Sequence, residues 1–356
     1  MSKIVFAGAG TAGHVEPALA VALWLRAQGQ EIEMIFLGTD GGVESRLVPA
    51  ANFPLSLINK TPFPRRINGE LFRWPLNFVR TLRQVNQVVK GADLVIGFGG
   101  YVAAPAYLVA RAKRIPIIAH EANAKTGMAN KLAKFCGATV LRAFGESTPE
   151  RVGIPLRESI VQLSQLSASD RLIAKHHALR TLQLDPNAPT ILIFGGSLGS
   201  MKFNATIEGA RTAISASGIQ MIHGVGVNNE LPQASTGYLP LHYIDDMALA
   251  YSAADLVISR SGAVTVAEVS VLGIYSLFIP LPIGNGEQVE NARSVVEQGG
   301  GEILDNSTFT ADWLISEVSA VMKRAESWRA GQKRIEFPLN AAEQIGLRSL
   351  KELANG

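Results

Sequence analysis

The sequence predicts an α/β chain of two doubly wound domains, and three observations carry that expectation. Short, almost wholly apolar runs such as Ile4-Val5-Phe6-Ala7 alternate with helical stretches, the pattern of parallel strands covered by helices on both faces. A strand, glycine turn and helix over residues 3–25 is answered by Thr190-Ile191-Leu192-Ile193-Phe194 running into Gly195-Gly196-Ser197-Leu198-Gly199-Ser200. Ala92-Asp93-Leu94-Val95-Ile96-Gly97 followed by Gly99-Gly100 is echoed by Ala254-Asp255-Leu256-Val257-Ile258-Ser259 followed by Ser261-Gly262-Ala263. At roughly 150 residues per domain, a chain of 356 residues accommodates two such halves.

In chain order, the first unit is a strand, a glycine turn and a helix opening near Pro17, where proline is tolerated. A second strand over 33–37 ends at Gly38-Thr39-Asp40, and further strand-length runs lie at 94–96, 115–119 and 139–141. The join is expected near Val152-Gly153-Ile154-Pro155, followed by a polar stretch, 162–187, of surface helix and loop. The first domain is therefore 1–154 and the second 155–339, with a terminal helix, 340–356, expected to return to the first.

Composition excludes several classes. With 47% hydrophobic and 18% charged residues the chain can bury a core rather than stay disordered. No run reaches the roughly 18 apolar residues of a membrane span, and the early residues lack a secretory pattern, so the mature chain is expected to begin here. The single cysteine, Cys136, forms no internal disulfide and no thiolate metal cage, as suits a reducing cytoplasm. A formal charge of +3 is too small to point to nucleic acid.

Gly8, Gly10 and Gly13 form a G-x-G-x-x-G between strand and helix, where backbone amides and the helix dipole suit a phosphate. Alone, the pattern is a weak signal that favours an anion-facing loop, such as a dinucleotide site served by Asp40, over a merely tight turn, and leaves the anion open. Repetition tilts the reading: glycine turns recur at 97–100, 195–199 and 261–262, all at carboxyl ends of strands, where open α/β sheets bind ligands. Two such domains facing a cleft suit transfer from a nucleotide-bound donor to a separate acceptor. His14, at the first helix start, can take a proton near neutral pH or hold a phosphate, or serve only as a hydrogen-bonded helix-start residue. His120-Glu121 and Asn123 bring polar groups to a strand end. Glu268, one turn after Thr265, suits ribose hydroxyls or the helix dipole, and Glu287-Gln288 follow a turn suited to sugar hydroxyls.

The stretch 60–83 differs in kind. It sets Phe63, Ile67, Leu71, Phe72, Trp74, Leu76, Phe78 and Leu82 among Lys60, Arg65, Arg66, Arg73, Arg80 and Arg83, with Glu70 the one opposing charge. That pattern suits an anionic membrane surface, and equally a helix whose apolar stripe is core.

Taken in order, Gly10-Thr11-Ala12-Gly13-His14-Val15-x-Pro17, Gly99-Gly100-Tyr101-Val102, His120-Glu121-x-Asn123, Gly153-x-Pro155-x-Arg157, Gly195-Gly196-Ser197-x-Gly199 and Ser259-Arg260-Ser261-Gly262-Ala263-x-Thr265-x-x-Glu268 resemble the peptidoglycan glycosyltransferases of family 28 over nearly the whole chain. The resemblance implies a GT-B fold of two Rossmann-like domains facing a cleft. It implies an inverting transfer of N-acetylglucosamine from UDP-GlcNAc to the muramoyl 4-hydroxyl of an undecaprenyl-diphosphate-linked acceptor, lipid I, giving lipid II. It further implies donor contacts at Thr11, Ala12, Gly13, Asn123, Arg157, Ser197, Ile244, Ala263, Val264, Thr265, Glu268 and Gln288. His14 and Glu121 are the catalytic candidates, with Tyr101, His120, Asn130, Asn204 and Glu287 serving the acceptor or supporting the site. Two positions depart from the family pattern: Ala12 stands for a usual glycine, and Glu287 for a usual glutamine. The same resemblance places the chain on the cytoplasmic face of the plasma membrane through residues 60–83, among cell-wall synthesis partners, with no cofactor, metal or nucleic acid. A UDP-GlcNAc 2-epimerase, an NAD-dependent oxidoreductase and a non-catalytic nucleotide-binding module are the alternatives.

Overall fold

The computed structural model describes residues 1–61, 69–282, 285–331 and 334–355, with backbone alone at 69–73. The chain divides into two compact units, Met1–Arg157 together with Pro338–Gly356, and Glu158–Phe337.

Among the described residues the first unit contains β1 (Ser2–Gly8), β2 (Ile32–Gly38), β3 (Leu55–Leu57), β4 (Leu94–Gly99), β5 (Ile117–Glu121) and β6 (Thr139–Arg142). They form one parallel sheet in the order β3-β2-β1-β4-β5-β6. Its helices are α1 (Ala12–Ala27), α2 (Glu44–Ala50), α3 (Gly69–Val89), α4 (Ala103–Lys113) and α5 (Met128–Phe135), joined by a C-terminal helix, Ala341–Asn355. The period of two in β1 builds both layers. Ile4 and Phe6 enter a core with Val15, Leu19 and Leu25 of α1, Val48 of α2 and Ile345 of the C-terminal helix. Val5 and Ala7 enter the other, with Val85 and Val89 of α3, Tyr107 of α4 and Ala133 of α5. The C-terminal helix meets α1 closely: a Cβ at Gly346 would fall 2.2 Å from the Trp24 ring, so only glycine lets the two helices approach there.

Helix α1 starts at Ala12, five residues before the proline taken as its opening signal. Pro17 lies inside the helix, where it cannot donate to the Gly13 carbonyl. Thr11, in extended conformation, is the true N-cap position.

The second unit holds β7 (Thr190–Phe194), β8 (Gln220–Gly224), β9 (Tyr238–Leu241), β10 (Leu256–Ser259), β11 (Ser276–Phe278) and β12 (Gly301–Ile303) in a parallel sheet ordered β12-β11-β10-β7-β8-β9. Around it lie α6 (Glu158–Gln165), α7 (Ala168–Thr181), α8 (Met201–Ala216), α9 (Met247–Ala253), α10 (Ala263–Leu272), α11 (Glu287–Glu297) and α12 (Ala311–Ala330). Counted from its own first strand, this sheet repeats the strand order of the first, so β1/β4 and β7/β10 are equivalent switch points where connections leave in opposite directions. The expected α/β class with two doubly wound sheets is what the chain adopts.

Part of the 60–83 stretch lies outside the described residues, including Phe63, Arg65, Arg66 and Ile67, as do the side chains of Leu71, Phe72 and Arg73. Within α3, Leu82 is half-buried and Val85 and Val89 are core, whereas Leu76 and Val79 are exposed and Trp74 stacks on Phe78 at 4.8 Å. The helix thus has a core stripe and a separate apolar surface. No described helix is long and apolar enough to cross a membrane.

Candidate functional site

In the first unit the loop after β1 and the loop after β4 meet around His14. The imidazole lies against Gly99, where a Cβ would sit 3.5 Å from Nε2 and where φ of +93° favours glycine. His14 Nδ1 is shielded from solvent and makes no hydrogen bond among the described residues. Burial pushes its pKa down to about 4, a fall opposed by the negative charge of Glu44. His14 is therefore neutral at pH 7, the form that accepts a proton. Thr11, Ala12 and Gly13 precede it in the opening turn of α1, where no side chain caps the helix. Tyr101 lies beside them, its hydroxyl in a short hydrogen bond with Thr39 Oγ1 and its ring 5.6 Å from Lys60 Nζ. Burial raises the phenol pKa.

The His120 to Asn130 group forms a second, self-contained network after β5. Because the Gly153 carbonyl only accepts, His120 Nε2 donates to it at 2.7 Å, which assigns the neutral tautomer with Nδ1 bare. Glu121 accepts from Asn123 N at 3.0 Å, Gly127 N at 2.8 Å and Asn130 Nδ2 at 3.0 Å. Asn130 also donates to the His120 carbonyl and accepts from Tyr107. Both Glu121 oxygens thus accept from the segment that follows, three bonds that hold the 121–127 loop against the start of α5. Arg157 belongs to the first unit, with Nε 3.0 Å from Glu16 of α1.

In the second unit the loops after β7, β10 and β11 are tied together. A Cβ at Gly199 would strike the Val225 carbonyl at 2.0 Å, and φ there is +75°, so the β7 turn requires glycine. Ser197 is half-buried in that turn. Helix α10 begins at Ala263, Val264 and Thr265 with Gly262 as an N-cap that offers no side chain, leaving the first-turn amides for an outside acceptor. Glu268, 2% exposed, accepts from Tyr251 at 2.9 Å. Ile244, also buried, packs near Gly224 at the end of β8. Asn204 donates to the Val225 carbonyl at 3.1 Å, and Gln288 Oε1 accepts from Leu281 N at 2.9 Å. Glu287 accepts from Asn285 N at 3.1 Å; Gly284, in the turn before it, is outside the described residues. A cavity of about 490 Å³ lined by Leu184, Ala188, Ser215, Gln220 and Tyr238 sits at the opposite side of the sheet's edge, by the amino ends of β7, β8 and β9, and is no part of this group.

Three ties here escape sequence reading. Arg260 donates to the Ile279 and Pro280 carbonyls, to Asn306 Oδ1 and to Ser200 Oγ, with its guanidinium 4.9 Å above the Phe203 ring. Asn291 of α11 donates to the Ser261 carbonyl. In the first unit Glu44 reaches the Gly10 amide at 2.9 Å. Asp40, the acid considered for a dinucleotide ribose, is exposed. No cluster of three or more His, Cys, Asp or Glu side chains is arranged to hold a metal among the described residues.

One prediction arises from the buried imidazoles. His120 and His223 are both held down to about 4, in each case chiefly by burial. As pH falls below 6.5 the unfolded chain binds protons that the native state refuses, so stability declines between about pH 6.5 and 4. Each histidine contributes a slope of about 1.4 kcal/mol per pH unit there. Melting temperature should therefore drop steadily from pH 7 to about 5; a flat profile would mean the imidazoles charge freely when folded.

The model of the glycosyltransferase family 28 N-terminal domain matches residues 4–141, and that of the C-terminal domain matches 190–345. A Streptomyces coelicolor protein named "UDP-N-acetylglucosamine--N-acetylmuramyl-(pentapeptide) pyrophosphoryl-undecaprenol N-acetylglucosamine transferase" is 42% identical over 99% of this chain and 96% of its own. A Corynebacterium diphtheriae protein of the same name is 45% identical over 92% and 89% respectively. The crystal structure of MurG from Acinetobacter baumannii is similar with a TM-score of 0.68, 30% identity and coverage of 99% and 100%. A putative UDP-N-acetylglucosamine 2-epimerase from Listeria monocytogenes, 14% identical with a TM-score of 0.62, shares the fold.

Proposed function

The chain belongs to glycosyltransferase family 28, and on that premise we infer that it is the transferase that moves N-acetylglucosamine from UDP-GlcNAc to the N-acetylmuramoyl sugar of undecaprenyl-diphosphate-linked MurNAc-pentapeptide, making lipid II for peptidoglycan. The observation that carries this reading is identity above 40% to transferases of that name over about nine tenths or more of each chain. The epimerase alternative rests on fold alone. The oxidoreductase alternative is disfavoured because Asp40 faces solvent and the Gly10 amide, which a pyrophosphate would need, is occupied by Glu44.

The donor is assigned to the second unit. The unclaimed amides opening α10 and the dipole behind them suit the diphosphate, as does the Ser197 hydroxyl of the β7 turn. Glu268, oriented by Tyr251, suits the ribose hydroxyls; Ile244 suits the uracil face; Gln288, its carbonyl engaged, would donate from Nε2 to the hexose, next to Glu287. The acceptor is assigned to the first unit. There His14 takes the proton of the muramoyl 4-hydroxyl as that oxygen attacks C1 of GlcNAc. The C1 to phosphate-oxygen bond breaks, the electron pair leaves on UDP, and a single displacement inverts the anomeric carbon. Charge growing on UDP is met by helix amides that need no reorganisation. Glu121, His120 and Asn130 brace the loop that presents Asn123, and Arg157 braces α1 through Glu16. The test is release of UDP that depends on both UDP-GlcNAc and the lipid-linked acceptor; UDP-GlcNAc turnover without lipid would favour the epimerase.

The membrane surface is assigned to the α3 side of the first unit. Exposed Leu76, Val79, Arg80 and Arg83 on α3 support it, as do Met128, Lys131, Lys134 and Phe135 on α5 in the same layer. Each basic residue near an anionic leaflet is worth about 1 kcal/mol, so neutralising both Arg80 and Arg83 with glutamine should weaken binding to anionic vesicles by roughly tenfold or more. Unchanged sedimentation with vesicles would move the surface elsewhere.

A further inference from the structure

Glu44 is a carboxylate with no solvent exposure, held in a cradle of glycines: a Cβ at Gly38 would fall 2.6 Å from its Cγ, and one at Gly42 would fall 2.2 Å from Oε1. Burial of a charge is costly unless its oxygens are satisfied. Here Oε2 accepts from Gly10 N at 2.9 Å, while Oε1 accepts from Thr39 N at 3.0 Å and Thr39 Oγ1 at 3.2 Å. A carboxylate only accepts, so the Thr39 hydroxyl gives its proton to Glu44 and must in turn accept from the Tyr101 hydroxyl. The phenol proton is thereby directed inward, and the lone pairs of the Tyr101 oxygen are left for a hydroxyl of a bound sugar. One side chain from α2 therefore holds both loops that flank His14: the β1 turn through Gly10, and the β4 turn through Thr39 and Tyr101.

We propose that Glu44 is a positioning residue for sugar transfer, fixing the Gly10 turn and the Tyr101 phenol so that His14 meets the acceptor hydroxyl in one arrangement. This rests on the reading of His14 as the base. A second line of support is electrostatic: the same carboxylate is the group that raises the proton affinity of His14 against the effect of burial. A base forced far below neutral pH is a weak one, and Glu44 counteracts that weakening without touching substrate.

The experiment is a double-mutant cycle on the full-length enzyme, with UDP release measured in UDP-GlcNAc and a lipid-linked acceptor. Glu44→Gln puts an amide donor against Gly10 N–H or Thr39 N–H and should lower kcat about tenfold or more, with the donor KM within about twofold. Glu44→Asp keeps both acceptor oxygens and the charge, and should recover part of that loss. In a His14→Ala background Glu44→Gln should cost less than about twofold further, because positioning residues act through the group they position. Equal fold losses in both backgrounds, or a Glu44→Gln enzyme of wild-type kcat, would overturn the proposal while leaving a crippled His14→Ala enzyme to uphold the base. A His14→Ala enzyme of wild-type rate would end both. Should Glu44→Gln fail to fold, Thr39→Val keeps the carboxylate and its backbone partners and removes the hydroxyl that joins Glu44 to Tyr101. It should lower kcat on its own and add nothing to Tyr101→Phe; additive losses would count against the proposal.

Discussion

His14→Ala is expected to lower kcat by about 10² to 10⁴, the range a positioned general base supplies, with UDP affinity retained. The side chain is shielded against Gly99, its Nδ1 makes no hydrogen bond among the described residues, and burial keeps it neutral. Nothing in those contacts gives it a structural duty to lose, so the folded fraction by circular dichroism should be unchanged. Turnover within about threefold of wild type would remove it from the reaction, since a base at work cannot be deleted so cheaply. The acid limb of kcat/KM for the free enzyme should lie well below the ordinary imidazole pKa of 6.5, because burial has moved His14 to about 4.

The second large effect falls on the donor. Glu268→Ala should weaken UDP binding by about 10²-fold, the loss of two hydrogen bonds from an ionised group at about 1.5 kcal/mol each. It should leave kcat at saturating donor within about fivefold, because ribose contacts are made alike in the ground and transition states and are uniform binding. The carboxylate is buried and oriented by Tyr251. Tyr251→Phe, which keeps the acid and removes its orienting hydroxyl, should lose less. Titration calorimetry with UDP reads both, and unchanged affinity in Glu268→Ala would place the ribose elsewhere.

Much of the fold was legible. The two sheets share one strand order, and their near-repeats at 92–97 and 254–259 are β4 and β10, the strands beside the switch points. Apolar alternation and glycine turns report on neighbours a few residues apart, which is what periodicity can detect. The start of α1 is not legible from Pro17, which marks a helix opening by its fixed φ, because the extended conformation at Thr11 ends the turn earlier and leaves the proline inside the helix. The stretch at 60–83 was ambiguous between core and surface, and within its described part it is both: Leu82 turns inward while Leu76 and Val79 do not. Glu121, by contrast, stood out in sequence as chemistry and has both oxygens engaged by its own loop. Glu44 gave no signal at all. An acid in the first turn of a short helix reads as a partner for the helix dipole, and only the approach of Gly10, 34 positions earlier, gives it another part.

The sequence by itself determined the α/β class, the doubly wound sheets, the glycine turns at strand ends and the family, because each is written in spacings along the chain. Tertiary structure alone decided which polar atoms are already spent: Glu121 and Asn130 on each other, Arg260 on three carbonyl oxygens and a serine hydroxyl, Glu44 on a glycine loop. A hydrogen-bonding group has a fixed number of partners, and which distant segment claims them is settled only when the chain has folded.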